Sequence, residues 1–352
     1  MTIDYGSGLS TEQDHALTGP LEADPQAAET MNFWAYDPDQ NIGLNIHPRI
    51  HNGQMHAMVT LFLADGTILR QRADTGSFDD GASPGSAHVR YQCVQPFQCW
   101  TYVVEKLPAF TTSDAGQRAG IVDDETPDAT ISFALQSEAA APIWLNGTMT
   151  AEAVQMMKGP AGLWIAGRLG SGIHPDSYRY DQLVKVTGSV ETPDGPKDFT
   201  GFGLRCHVRG VRNLTGMAGT CWMSGLFPSG KGFGVMVNIG ADGRYSFSEA
   251  YTTDGKTITP ARILQFPRRH RELEEGPFWI QLASDELGLV DISGEDVRAF
   301  YWSMEDWGAN ATSPPAYGND PDAGVLMKQG LATNGMTKSA TASMNDQDKD
   351  RI

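Results

Sequence analysis

Basic side chains are scarce: Lys and Arg total 26 against 43 Asp and Glu in 352 residues, a formal charge of −17. A field of that sign repels phosphate backbones, so no nucleic-acid partner is expected. Long apolar runs are absent too. No stretch approaches the roughly 20 apolar residues of a membrane span. The opening, Met1 to Pro25, is polar and acidic and lacks the basic-then-apolar layout of a signal peptide. A cytoplasmic location without a membrane span is the expectation. Cysteine is sparse, at Cys93, Cys99, Cys206 and Cys221. No pair has the short spacing of a zinc site, and four in a long chain make no disulfide framework, so reduced, buried thiols are expected. The chain also lacks a Gly-x-Gly-x-x-Gly turn and a phosphate loop, and its one Gly-x-Ser-x-Gly, Gly81–Gly85, lies in a Gly-, Ser- and Pro-rich run rather than at a strand-to-helix elbow. A nucleotide cofactor and serine-hydrolase chemistry are therefore disfavoured, and no cofactor is expected. Nothing in the sequence sets an oligomeric state.

Extended, alternating segments are plentiful. From His56 to Leu63, the residues Ala57, Val59, Leu61 and Leu63 share one face. Asp65-Gly66 and a second extended run, Thr67 to Arg72, complete a hairpin, because Asp-Gly supplies the positive φ angles of a tight turn. The same punctuation recurs at Asp194-Gly195, Asp242-Gly243 and Asp254-Gly255. Between these turns lie candidate strands Leu183–Glu191, Phe199–Arg209, Gly232–Ile239, Arg244–Tyr251 and Thr257–Phe266. Short hairpins joining successive strands make an antiparallel meander, which avoids exposed edges by closing into a barrel. Helical signals are few: Thr150–Lys158, with turns or loops at Arg268–Glu275 and Gly294–Phe300. Ala323–Leu331 reads as a closing strand. The expected fold is all-β, two antiparallel barrels in tandem around an apolar cavity. The expected limits are an arm at 1–30, barrels at 31–165 and 166–334, and a disordered tail at 335–352. The inner boundary lies in the Gly-rich run Gly159–Asp181.

Three clusters carry candidate chemistry. In Gly201–Arg212, alternation puts Arg205, His207 and Arg209 on one strand face and Leu204, Cys206 and Val208 on the other. Like-charge repulsion favours neutral imidazole, which suits a general base, whereas a plain reading makes this a solvated strand face. The second cluster is His47, His51 and His56, near Trp34 and Tyr36. No carboxylate accompanies these histidines, so no metal site is expected. The third is Tyr245, Phe247, Glu249 and Tyr251 on one face of one strand. A carboxyl among aromatics can act as an acid, and the plain alternative is a solvent-facing Glu beside core rings.

The stretch Tyr180-Asp181-Gln182, Val186-Thr187-Gly188, Asp194-Gly195 and Gly201-Phe202-Gly203-Leu204-Arg205-Cys206-His207 resembles the second half of two-domain lipocalin-like proteins. That group includes carotenoid 1,2-hydratase, kievitone hydratase and AttH-like proteins. Asn32-Phe33-Trp34-Ala35-Tyr36-Asp37-Pro38-Asp39, with Ile42-Gly43, looks like the group's opening strand. The resemblance implies two lipocalin-like barrels, a cavity for isoprenoid-, steroid- or polyketide-like molecules, and no cofactor. It points to His207 for proton transfer, with Arg205 and Arg212 as matching neighbours. In this chain Cys206, Val208 and Arg209 stand where the group's motif has Asp, Ser and Trp. A substrate with a carboxylate, carbonyl or enolate suits Arg205, His207 and Arg209 better than a cation does.

The resulting expectation is a cofactor-independent enzyme that performs acid–base chemistry on a hydrophobic, oxygenated small molecule: hydration, dehydration, isomerisation or cyclisation. The candidate catalytic groups are His207, Arg205, Asp181 and Glu249. Arg209, Arg212, Trp34, Tyr36, Trp222 and Tyr251 are candidates for binding the substrate. The rival is a protein that binds a lipophilic ligand without reaction. Convergence of His207 with Asp181 or Glu249 in one pocket separates the two readings.

Overall fold

A computed structural model describes residues 2–19, 27–113, 126–158, 177–211, 217–240, 244–266, 278–294 and 341–344. Ten strands build the first sheet. They are β1 (Ala27–Asp37), β2 (Ile42–His51), β3 (Gln54–Phe62), β4 (Ile68–Ser77), β5 (Val89–Gln95), β6 (Cys99–Thr112), β7 (Ala129–Ala139), β8 (Trp144–Leu145), β9 (Tyr178–Thr192) and β10 (Gly195–Val211). Eight of them close in the order β10-β1-β2-β3-β4-β6-β7-β9, because β9 pairs back on β10. All these pairings are antiparallel. Strand β5 attaches to β6, and β8 to β9.

The second sheet has seven strands, paired in chain order and antiparallel. They are β11 (Met217–Leu226), β12 (Gly232–Gly240), β13 (Tyr245–Thr253), β14 (Ile258–Gln265), β15 (Phe278–Ser284), β16 (Gly288–Gly294) and β17 (Thr341–Met344). It curls as a half-barrel without closing. The tail expected to be disordered thus contributes Thr341–Met344 as a strand on β16. The first barrel runs to Val211, so a boundary between residues 165 and 166 would cut β9 and β10 from the barrel that they close. The Gly-rich run resembles a linker locally, and barrel closure is a long-range pairing that no local signal reports.

The Asp-Gly pairs do mark turns, but only the glycine of each takes a positive φ, and Asp65, Asp194 and Asp254 do not, so the expected pair of positive φ angles is not formed. Gly66, Gly195 and Gly255 have φ of 92°, 105° and 90°. At the first of these turns, Leu63 N–H donates to the Thr67 carbonyl at 2.9 Å and Thr67 N–H to Asp65 Oδ1 at 2.8 Å. A short helix, α1 (Ala151–Met157), starts at Thr150, whose hydroxyl accepts from Ala153 N–H at 3.0 Å. The candidate elements Arg268–Glu275 and Ala323–Leu331, the Asp242-Gly243 turn and residues 295–300 lie outside the described residues.

Alternation sorts the side chains into three cores. Phe33, Leu44, Ile46, Val59, Leu61, Trp100, Tyr102 and Val186 fill the first barrel, where Phe33 and Tyr102 stack at 3.7 Å. Met223, Phe233, Val235, Val237, Ile280 and Ile292 fill the hollow of the second sheet. Between the sheets runs a seam: Trp34, Tyr36, Phe62, Leu204, Cys206 and Trp144 meet Trp222, Met236, Phe247 and Tyr251. The first barrel is filled by the side chains of its own core. Its interior is packed, with a cavity of about 10 Å³ lined by Met31, Tyr91, Trp100, Tyr102, Arg205 and His207 among others. That is about the space of one water.

Backbone approach at the closing strand is tight. A Cβ on Gly203 would stand 2.0 Å from the Trp34 carbonyl oxygen, inside van der Waals contact. Gly203→Val should therefore cost at least about 1–3 kcal/mol. Urea unfolding followed by circular dichroism checks this, and an unchanged midpoint would contradict the packing described.

Candidate functional site

Two buried polar clusters lie on opposite sides of one barrel wall. The wall is β9, β10 and β1, in which Arg205 pairs with Gln182 and Phe33, and His207 with Tyr180 and Met31. Odd-numbered residues of β10 therefore point into the barrel, and even-numbered ones into the seam. Cys206 pairs with Asp181 and Asn32, so these three share the seam face.

Inside the barrel, the Asp14 carboxylate accepts from Arg205 Nη2 at 2.6 Å, Phe97 N–H at 2.6 Å, Trp100 Nε1 at 2.8 Å and the Tyr180 hydroxyl. Glu29 Oε1 meets His207 Nε2 at 2.7 Å and accepts from Arg209 Nε at 2.9 Å and Nη2 at 2.7 Å. Its other oxygen accepts from Leu17 N–H at 2.8 Å. His207 Nδ1 lies 3.3 Å from the Tyr180 hydroxyl. Two carboxylates face two guanidiniums, so the charges balance when His207 is neutral. A carboxylate at Nε2 assigns the proton to that nitrogen. Burial lowers the His207 pKa, and the charge of Arg209 adds to the effect while Glu29 opposes it. Burial works to raise the Asp14 and Glu29 carboxyls, but their cationic and hydrogen-bonding partners outweigh it and hold both below the ordinary range.

The seam cluster centres on Asp181, which has no solvent exposure. Asn146 Nδ2 donates to its Oδ2 at 3.2 Å, the Cys206 thiol bonds to it, and Arg179 Nη2 stands at 3.5 Å from Oδ1. That last contact is long. Burial outweighs these partners and raises the Asp181 pKa. Arg179 lies over the Trp222 ring at 4.3 Å. Its Nε, with Asn146 Oδ1, Asn32 Oδ1 and Ser177 Oγ, has no hydrogen-bond partner among the described residues. Register on either side sets Asn32 opposite His47, so His47, Asn32, Cys206 and Asp181 form a polar row across four strands. Trp144 and Tyr251 lie together at 4.9 Å beside Asp181. Burial, aided by the Asp181 charge, holds the Tyr251 phenol well above its ordinary pKa. Glu249 accepts from Trp144 Nε1 at 2.9 Å, Gly147 N–H at 2.7 Å and Met149 N–H at 3.0 Å. Burial still outweighs these donors and raises its pKa.

The candidate residues therefore divide. Arg205, His207 and Arg209 lie in the barrel, and Asp181, Glu249, Trp34, Tyr36, Trp222 and Tyr251 lie in the seam. His207 does not converge with Asp181 or Glu249. Tyr36 turns its hydroxyl to Asn41 Oδ1 at 3.0 Å, toward a hairpin. Arg212 lies outside the described residues. The plain reading of Arg205, His207 and Arg209 as a solvated face fails, since all three are buried. The plain reading of Glu249 fails likewise, with 4% exposure. His51 and His56 are exposed and His47 is buried. Among the described residues no three His, Cys, Asp or Glu are placed to hold a metal ion. Cys206 is buried, whereas Cys93 on β5 and Cys99 at the start of β6 are only half-buried. Sequence reading missed Asp14 and Glu29, which sit in a segment without periodicity, and Tyr180, Arg179, Asn146 and Trp144. The acidic residues of the arm are the one signal that pointed to partners for Arg205 and Arg209.

A family model described as Domain of unknown function (DUF7064) matches residues 11–266. The chain belongs to that family. The match spans the whole first barrel and the strands that form the seam. No curated protein matches the chain. The crystal structure of an AttH protein from Nitrosomonas europaea is similar, with 13% identity and a TM-score of 0.50, over 85% of this chain and 87% of its own. CghA is similar over 79% and 78%, at 11% identity and a TM-score of 0.45. Kievitone hydratase from Nectria haematococca is similar over 84% and 85%, at 8% identity and a TM-score of 0.40. The AttH likeness is one of fold, and the tandem lipocalin-like architecture expected for this DUF7064 chain is shared with it.

The barrel cluster sets an acid limit. His207, Asp14 and Glu29 all have depressed pKa values in the fold, so each contributes stability above its unfolded value that is lost as pH falls. Melting temperature should begin to drop below about pH 6.5 through His207, then steepen below about pH 4.5 as the carboxylates protonate. His207→Gln should remove the first step and leave the second. Glu29→Gln leaves Arg209 buried beside a neutral amide and should cost about 3–5 kcal/mol at pH 7. Differential scanning calorimetry across pH checks both. An unaltered first step in His207→Gln would contradict the assignment.

Proposed function

We propose that this protein is a cofactor-independent acid–base enzyme whose reaction occurs in the seam between its two sheets. Its substrate is a hydrophobic small molecule bearing a carbonyl or hydroxyl group. The observation that carries this reading is Asp181: fully buried, with a raised pKa, and bonded by Asn146 and Arg179, whose Oδ1 and Nε have no partner among the described residues. Orphaned buried polar atoms cost free energy unless something satisfies them. An oxygenated ligand lying against Arg179 Nε and Asn146 Oδ1 would do so. Trp34, Trp144, Trp222 and Tyr251 supply the apolar walls.

A raised pKa favours a protonated Asp181, the form a general acid needs. The acid gives its proton to the substrate, and the carboxylate so formed takes one back. Net hydration, dehydration or isomerisation then requires no cofactor. Arg179, stacked on Trp222, is suited to negative charge developing on the substrate oxygen. The resemblance of Gly201–His207 to hydratases supports the same reaction class. In this reading His207 supports the wall from inside the barrel rather than touching the substrate.

The test is proton exchange. Wild-type protein is incubated in deuterated water with a panel of apolar enones and β-hydroxy ketones, and products are read by mass spectrometry. Wild type should incorporate deuterium or add or lose water with at least one of them. Asp181→Asn should be slower by about 10²–10⁴, with an unchanged or higher melting temperature. The wild-type rate should fall as pH rises through the raised Asp181 pKa, because the acid form is consumed. Retained ligand binding with no turnover in wild type would instead identify a carrier.

A further inference from the structure

The segment just before β1 belongs to no sheet, yet it is held residue by residue from inside the barrel. The Tyr178 hydroxyl donates to the Gln13 carbonyl. Asp14 reaches inward and has no solvent exposure. Arg209 Nη2 donates to the His15 carbonyl at 2.6 Å, Ala16 N–H to the Gly81 carbonyl at 2.8 Å, and Leu17 N–H to Glu29 at 2.8 Å. The Asp14 carboxylate is met by four donors from separate parts of the chain: the Phe97 N–H in the turn before β6, Trp100 on β6, Tyr180 on β9 and Arg205 on β10. Arg205 is itself aimed by Gln182 Oε1, which accepts from Nη1 at 3.1 Å. Gln182 is fixed in turn by donating to the Phe97 and Ala141 carbonyls at 2.8 and 3.1 Å. These donors therefore hold their positions through the barrel's own bonds. Asp14 fills the recess without building it.

We infer that this recess is a carboxylate-binding site that the chain occupies with its own Asp14, so that residues 13–17 act as a stopper held by an internal ligand. Charge-assisted bonds from Arg and from oriented N–H groups select a carboxylate over a halide by geometry, since two oxygens need donors on both sides. The recess adjoins the cavity of about 10 Å³ that Arg205 and Trp100 also line. A removed Asp14 side chain leaves room for formate or acetate and nothing much larger. The ligand class is thus a small carboxylate anion, and the inference does not depend on the seam reaction.

The test is chemical rescue in the full chain. Asp14→Gly is melted in sodium chloride and in sodium formate at equal ionic strength. In chloride its melting temperature should fall below wild type. Formate should raise it by about 5 °C with a saturable dependence on concentration, and wild type, already filled, should show no such rise. The double variant Asp14→Gly with Arg205→Met should lose the response. If Asp14→Gly does not fold in chloride, recovery of the sheet circular-dichroism signal on refolding in formate gives the same readout. Formate acting no better than chloride, or acting equally on the double variant, would overturn the inference. So would failure to refold in either salt.

Discussion

The pairing of Cys206 with Asp181 on one side and Asn32 on the other decides what this protein can do. Strand side chains alternate, so one register assigns every neighbour to a face. Here it sends Arg205, His207 and Arg209 into the barrel and Cys206, Asp181 and Asn32 into the seam. A slip of one residue in β10 would exchange the two sets, putting Arg205 and Arg209 in the seam and leaving Asp14 and Glu29 in the barrel without their counter-ions. Arg205 with Asp14 and Arg209 with Glu29 thus bind the arm and also help to fix the register. The same pairing closes the barrel, because β9 and β10 are its last two strands.

The two clusters illustrate two ways of burying charge. In the barrel each carboxylate has a guanidinium within 2.7 Å, and every partner comes from the chain itself. Such a cluster is costly to disturb and leaves little capacity for chemistry, because its donors and acceptors are already used. In the seam, Arg179 is the one cation that the described residues place against Asp181, at a long 3.5 Å, and Arg179 Nε and Asn146 Oδ1 beside it are without partners among the described residues. Burial that these partners do not offset raises the carboxyl pKa, and the unpaired atoms are left for another molecule. That contrast is the reason the proposed reaction is assigned to the seam rather than to His207.

Much of the local structure was legible in the sequence. Asp65-Gly66 and Asp254-Gly255 mark real turns, and Thr150–Lys158 holds the helix. The face shared by Arg205, His207 and Arg209 follows from spacing alone. What spacing cannot supply is which neighbouring strand those residues meet. Asp181 lies two residues from Arg179 and one from Tyr180, yet Tyr180 joins the barrel cluster while Asp181 joins the seam. Asp14 and Glu29 are 191 and 180 residues from the arginines that they bind, too far for any local pattern to connect them. The barrel boundary was misplaced for the same reason.

The most direct test of this account is the protonation state of Asp181. Carbon-13 nuclear magnetic resonance of protein labelled at the Asp carboxyl carbon, titrated with pH and assigned by comparison with Asp181→Asn, reads it without any substrate. The account predicts a resonance, absent from the variant, that titrates above the ordinary Asp range, about 3.9. A resonance that titrates at or below that range would mean that Asp181 is a settled ion-pair carboxylate, and the seam would lose its acid.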